Sequence, residues 1–126
     1  MRVFIFLRLS RTGFLPYNWL KMMTAEQIQA ILSLYARHGW KLRRVLLTPA
    51  LKKTLRDSLA AFFDSAEIIE SEIDAVWFSR PSDHEREAWE LRRLSPTPYA
   101  LFELFENEDE EEVREEIRHE MESRLK

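Results

Sequence analysis

The sequence predicts an α+β domain, a two-layer sandwich in which helices cover a four-stranded mixed sheet. Two segments, 24–39 and 48–63, begin with helix-capping residues and repeat apolar residues at helical spacing. Residues 73–105 carry short apolar and aromatic runs separated by polar turns, which is typical of antiparallel strands. We therefore predict the order α-β-α-β-β-β-α, with an antiparallel meander at 73–105.

The first predicted helix begins after Thr24. Thr24 is a favourable N-cap, and Gln27, three residues later, completes a capping-box pattern. The apolar residues that follow recur at the spacing of one helical face: Ile28, Ile31, Leu32 and Tyr35. Gly39 stands where a helix C-cap is expected. This pattern predicts a helix with one face on the core.

A strand, a helix and a second strand are predicted to follow. Residues 40–47 favour a strand, and Thr48 with Pro49 is a typical helix start because proline is tolerated at the first helical position. The predicted helix runs over about 49–63 and buries Leu51, Leu55, Leu59 and Phe62. Such a crossover joins parallel strands, so we expect strands 40–47 and 73–79 to be parallel.

The meander contains a predicted hairpin across residues 95–98, in which Leu94 pairs with Tyr99. This register pairs Leu91 with Phe102 and Trp89 with Leu104, so one apolar face would hold Trp89, Leu91, Ala100, Phe102 and Leu104. Residues 85–94 also fit a helix, with glutamates in the first turn and arginines in the last. The ragged apolar spacing and the lack of a closing glycine favour the strand.

The last predicted element is a helix over about 108–125, capped by Asn107 and Glu110. Its apolar residues form a narrow stripe: Val113, Ile117, Met121 and Leu125. Strands 73–79 and 99–105 are apolar on both faces, and the first two helices cover only one. The acidic helix could therefore cover the second face in its own chain or in a neighbouring copy.

Residues 1–22 form an N-terminal extension ahead of a single α/β domain at 23–126. Three interpretations stay open: a mis-annotated start ahead of Met22 or Met23, an organellar transit peptide rich in arginine, or an edge strand at 3–9. We favour the mis-annotated start. The apolar run at 3–7 is too short for a signal peptide, which needs about 7–15 apolar residues.

The net charge of −3 hides two oppositely charged halves. Residues 1–56 carry eleven Lys or Arg and one acid, whereas residues 57–126 carry eight Lys or Arg and twenty-one acids. The halves either neutralise each other or mark surfaces for partners. The chain has no cysteine, which fits a reducing compartment, and we expect a cytoplasmic protein without a membrane span.

No pattern of catalytic, cofactor-binding or metal-binding residues is evident. Two glycines cannot form a glycine-rich phosphate loop. Glu116 and His119 have the Glu-x-x-His spacing of di-iron bundles, but the further ligands that such sites need are missing. An acid–base role for Glu87, Glu90 and Glu103, or for His84, is a remaining alternative; we favour a solvated sheet face. We therefore predict no cofactor and no metal.

The strongest candidate surface is a basic run that could bind an anion or a partner: Lys41, Arg43, Arg44, Lys52, Lys53 and Arg56. Phosphate neutralisation would give such a patch affinity for nucleic acid, although the acidic pI of about 5.7 argues against it. We favour a small non-enzymatic interaction or regulatory module that forms a homodimer or binds a protein partner. Nucleic-acid binding and a carboxylate or histidine enzyme are the alternatives.

Overall fold

The computed structural model describes residues 23–63 and 66–126 in full and the backbone of residues 2–7. Its six strands are β1 (Arg2–Leu7), β2 (Lys41–Leu47), β3 (Glu67–Glu70), β4 (Ala75–Pro81), β5 (Glu87–Arg93) and β6 (Tyr99–Phe105). Its helices are α1 (Ala25–Arg37), α2 (Pro49–Leu55), α3 (Leu59–Phe63) and α4 (Glu111–Arg124). The strands form one mixed sheet in the order β1-β6-β5-β4-β2-β3, so the predicted α+β class is confirmed.

The sheet has two strands more than the four that the sequence predicts. The strand β1 pairs with β6 at one edge, which is one of the alternatives left open for residues 1–22; residues 8–22 lie outside the described part of the chain. The strand β3 forms the other edge. Its four residues, Glu-Ile-Ile-Glu, are mostly exposed and too few to show a clear alternation, so the sequence pattern does not indicate a strand here.

The starts of α1 and α2 follow the predicted capping chemistry, whereas α4 begins at Glu111 and Asn107 does not cap it. The Thr24 hydroxyl accepts from the Gln27 backbone N–H at 3.2 Å, and the Gln27 side chain accepts from the Thr24 N–H at 2.9 Å. Gly39 ends the turn after α1 with a φ of +83°, a conformation that glycine adopts without steric cost. The second predicted helix is divided, because a short 3₁₀ turn at Arg56–Ser58 separates α2 from α3.

The predicted parallel pairing of strands 40–47 and 73–79 is wrong. The strand β2 is parallel to β3, which takes the place at the end of the crossover, and antiparallel to β4 on its other side. The chain reverses between β3 and β4, within residues 71–74. A crossover of the expected kind exists, but its second strand is the short edge strand that the sequence did not reveal.

The segment around Trp89 is a strand, as predicted, but the predicted hairpin register is wrong by one residue. Trp89 pairs with Glu103 and Leu91 pairs with Leu101. The β5–β6 pairing ends at Arg92 and Ala100, whereas the Leu94 N–H donates to the Asp74 carbonyl at 2.8 Å and so extends the pairing of β5 with β4. The connection is tighter than predicted, and the Ser95 hydroxyl donates to the Thr97 carbonyl within it at 2.7 Å. A shift of one residue moves every side chain of β6 to the opposite face.

Helices cover both faces of the sheet, which adds a third layer to the predicted two. The α1 face, covered by α1, α2 and α3, buries Met23, Ile28, Ile31, Val45, Leu47, Leu51, Leu55, Phe63, Val76, Phe78 and Leu94. The α4 face, covered by α4, buries Leu46, Ile73, Ala75, Trp77, Trp89, Leu91, Leu101, Phe105, Ile117, Met121 and Leu125. The acidic helix therefore completes the second core within its own chain. No helix in the described residues is long and apolar enough to cross a bilayer.

Candidate functional site

The six predicted basic residues do not form one surface. Lys52, Lys53 and Arg56 are exposed on α2 and the turn after it, on the α1 face. Arg43 and Arg44 contact Trp89 on the α4 face. Lys41, at the start of β2, is exposed and pairs in the sheet with Ser79. The sheet therefore separates the run into two groups that cannot contact one flat partner together.

A bulge in β2 explains why two consecutive arginines face the same way. The pairing of β2 with β4 shifts between Leu42 and Arg44, so Arg43 is the extra residue. A bulge redirects side chains that would otherwise alternate. The Arg43 and Arg44 guanidinium carbons consequently lie 5.0 and 6.0 Å from the Trp89 ring centroid.

Arg44 belongs to an ion-pair network that fastens α4 to the sheet. Its two terminal nitrogens donate to the two Glu115 oxygens, both at 2.7 Å. The buried Arg118 lies 3.9 Å over Trp89 and donates to Glu111 at 3.1 and 3.2 Å. These hydrogen bonds lower the pKa of Glu115, through Arg44, and of Glu111, through Arg118. Bidentate, partly buried pairs of this kind fix one geometry.

A polar cavity of about 260 Å³ lies beside this network. It is lined by three guanidiniums and three carboxylates: Arg43, Arg44, Arg118, Glu67, Glu87 and Glu111. Because the opposite charges are equal in number and most are already paired, the cavity offers no net charge to a ligand. We interpret it as part of the attachment of α4.

The histidines and glutamates singled out for chemistry lie apart. His38, His84 and His119 are exposed at different places in the fold. The described residues contain no group of three or more side chains arranged to hold a metal ion. Glu87 and Glu103 share the α4 face with Trp89, whereas Glu90 faces α1, so the three carboxylates do not meet.

A groove lies on the α1 face, beside α1. Among the described residues, the three helices of this face pack over β2 and β4, and the groove lies over the adjoining surface of β5 and β6. The cavity measures about 510 Å³. Its wall is one side of α1, its floor is formed by β5 and β6, and its described lining is Ile31, Leu34, Tyr35, His38, Trp40, Arg80, Glu90, Arg92, Pro98, Tyr99, Ala100 and Phe102.

Aromatic contacts hold the groove in shape. The Tyr35 ring stacks on Phe78, with centroids 4.1 Å apart and planes 8° apart. Trp40 lies edge-on to Tyr35 at 6.2 Å and to Phe102 at 6.4 Å. The Tyr35 hydroxyl donates to the Glu90 carboxylate. Four rings and one hydrogen bond thus connect α1 to three neighbouring strands.

The charged groups of the groove are two arginines and one glutamate. The Arg80 guanidinium lies 4.4 Å from the Trp40 centroid and donates to the His38 carbonyl at 2.7 Å. Arg92 donates to the carbonyl of Arg93. Arg80 is exposed and makes no ion pair with any carboxylate of the described residues. The lining therefore carries a net positive charge.

Sequence reasoning missed this groove for two reasons. Tyr35 belongs to the predicted core stripe of the first helix, and the predicted hairpin register places Phe102 and Ala100 on the face of Trp89. Leu34 was the available signal, because it is apolar yet stands outside the predicted stripe of α1; it is 37% exposed.

Comparison with known proteins adds no family to these observations. No family model matches the chain, and searches of curated proteins and of solved structures found no similar protein. Its class is therefore defined by its own geometry: an α+β domain in which, among the described residues, an ion-paired helix covers one face and an aromatic groove lies on the other.

Proposed function

We propose that this protein is a non-enzymatic interaction module that binds an apolar part of a partner in the groove between α1 and strands β5 and β6. The groove itself is the observation that carries this proposal. Its volume falls within the range of about 300–1,000 Å³ that is typical of ligand sites, and its lining is mostly apolar with a few polar groups.

The residue types of the groove support recognition. Binding energy in interfaces concentrates on Trp, Tyr and Arg, and Trp40, Tyr35 and Arg80 meet here. Their mutual contacts hold the rings in place before a partner arrives, which reduces the entropy lost on binding.

Two finer predictions accompany this proposal. We propose a cytoplasmic location, which the lack of cysteine supports because it fits a reducing compartment. Self-association stays a prediction. Lys52, Lys53 and Arg56 make no ion pair with a described carboxylate, which supports contact of these cations with a second copy.

A neutral apolar dye tests the groove without involving its charges. Nile red should bind the full chain with increased fluorescence, and Leu34→Asp should weaken binding at least several-fold by placing a carboxylate on the apolar wall. Val113→Asp is the matched control, since Val113 also lies on a helix and is 38% exposed, against 37% for Leu34. The proposal is contradicted if both variants lose Nile red binding equally, or if neither variant loses it.

A further inference from the structure

We propose that the edge strand β3 is a second binding surface, which takes an extended basic segment of a protein partner as an added strand. The expected segment has the pattern basic-apolar-apolar-basic, the complement of the Glu-Ile-Ile-Glu sequence of β3. This surface lies at the end of the sheet beyond β2 and is separate from the groove beside α1. Strand addition to an open sheet edge is a general mode of peptide recognition, in which backbone hydrogen bonds supply affinity and side chains supply specificity.

The outer edge of β3 carries backbone groups with which a new strand can pair. β3 ends the described sheet beside β2, and the Ser71 N–H continues their pairing by donating to the Leu47 carbonyl at 2.9 Å. Because successive residues of a strand direct their backbone groups to opposite sides, Ile68 and Glu70 direct theirs away from β2. Among the described residues, these outward groups have no hydrogen-bond partner. An extended segment can therefore continue the sheet here without displacing a hydrogen bond of its described strands.

The side chains of β3 alternate between the two faces of the sheet. Glu67 pairs in register with Arg44 on the α4 face, and Ile69 packs partly buried against the core of that face. Ile68 pairs with Val45 on the α1 face and is 37% exposed. A neighbouring strand that places an apolar residue beside Ile68 would remove this surface from water.

The charge of the edge favours a basic partner. Residues 57–79 contain six acidic residues and no Lys or Arg. Glu70 is exposed and makes no ion pair with a described cation. Glu67, whose side chain is 67% exposed, lies 3.8 Å from Arg44, which makes its shorter contact with Glu115 at 2.7 Å. Both glutamates of β3 can therefore pair with cations directly opposite them on an added strand.

The same two glutamates oppose pairing of β3 with the β3 strand of a second copy. The sequence Glu-Ile-Ile-Glu is the same in both directions, so two such strands in register place glutamate opposite glutamate, whether they are parallel or antiparallel. Like charges directly opposite each other destabilise a sheet, and charged edge residues are a common protection against edge-to-edge association. A basic segment meets no such repulsion, so charge selects this partner over a second copy.

Three acetylated and amidated peptides, titrated into the ¹⁵N-labelled full chain and followed by NMR chemical shifts, test this inference. The lysine peptide is Thr-Lys-Val-Val-Lys-Thr, the glutamate peptide has glutamates in place of both lysines, and the methylated peptide is the lysine peptide with an N-methyl group on its second valine. When both lysines lie opposite glutamates, that valine directs its N–H to β3 in either strand orientation. Methylation therefore removes a backbone donor and leaves the charge unchanged.

The lysine peptide should shift the backbone amides of residues 67–71. It should bind at least about fivefold more tightly than the glutamate peptide, because two attractive cross-strand pairs become repulsive in the latter. It should also bind at least about fivefold more tightly than the methylated peptide, which has lost a backbone hydrogen bond.

A charge reversal on β3 locates the contact. Glu70→Lys should weaken binding of the lysine peptide at least about fivefold and strengthen binding of the glutamate peptide, because it exchanges attraction for repulsion at one cross-strand position. Glu112→Lys changes the net charge equally and is the matched control. Glu112 is also exposed and makes no ion pair with a described cation, but it lies on α4. This variant should leave both affinities unchanged.

The outcomes also separate this inference from the proposed function. Equal binding of the lysine and methylated peptides, or shifts confined to the acidic run 108–112, would indicate charge attraction without strand addition and would overturn the inference. Equal binding of the lysine and glutamate peptides, or no shift of residues 67–71 with any peptide, overturns it as well. The groove is tested independently, because the lysine peptide should leave Nile red bound there. Displacement of Nile red by this peptide would place it in the groove and overturn the assignment to β3.

Discussion

The two faces of the sheet use the same pair of side chains in opposite ways. On the α4 face, Arg118 is buried over Trp89 and neutralised by carboxylates of its own helix. On the α1 face, Arg80 lies over Trp40 but is exposed, and no described carboxylate pairs with it. An arginine on a tryptophan is thus buried and neutralised where a helix covers it, and it stays exposed where no described helix does.

The largest expected effect compares the two tryptophans. Trp89→Ala should lower the free energy of unfolding by about 3–5 kcal/mol, because it leaves a cavity beneath α4 in the buried core. Trp40→Ala should lower it by only about 1–2 kcal/mol, since this half-buried ring keeps part of its surface in water. Urea unfolding of both variants measures the difference. Equal losses would mean that the groove is as much a part of the core as the α4 face.

A smaller effect is expected from acid. Hydrogen bonds from Arg118 and Arg44 lower the pKa of Glu111 and Glu115 below the usual 4.5. A carboxylate whose pKa is lower in the folded state contributes stability that is complete above its unfolded value. That contribution disappears as the pH falls through the folded value. The free energy of unfolding should therefore decline below about pH 4.5 as α4 loses its attachment.

Glutamine variants identify the source of that decline. The double variant Glu111→Gln with Glu115→Gln should lower the free energy of unfolding at neutral pH. It should also make the decline of that free energy below about pH 4.5 less steep. Glu112→Gln with Glu116→Gln is the control, because these exposed carboxylates of the same helix make no ion pair within the described residues. If the free energy of unfolding declines in acid as steeply in the first double variant as in the unmodified protein, the network does not hold α4.

The smallest expected effect is self-association. Exposed cations on the α1 face and exposed acids on α4 lie on opposite sides of the sheet, so two copies can attract each other only by unlike faces. We expect weak association that decreases with ionic strength. Size-exclusion chromatography with light scattering at low and high salt measures it, and a mass of 15.2 kDa in both would contradict self-association.

Much of the local structure follows from the sequence. The cap at Thr24, the proline start at Pro49 and the strand around Trp89 are present as predicted. The candidate site was not predictable in the same way. The basic residues are adjacent along the chain, but the sheet passes between them, and a bulge that no residue type announces redirects Arg43.

Local sequence patterns determined α1, β2, β4, β5, β6 and α4 but not the short edge strand β3, because capping, apolar spacing and turn residues act over only a few residues. The tertiary structure alone decided the hairpin register, the parallel partner of β2 and the closure of the second face by α4. These features depend on contacts between distant segments, such as the pairing of β2 with β3 and of Arg44 with Glu115. A one-residue difference in such pairing moved Phe102 from the expected core to the floor of the groove.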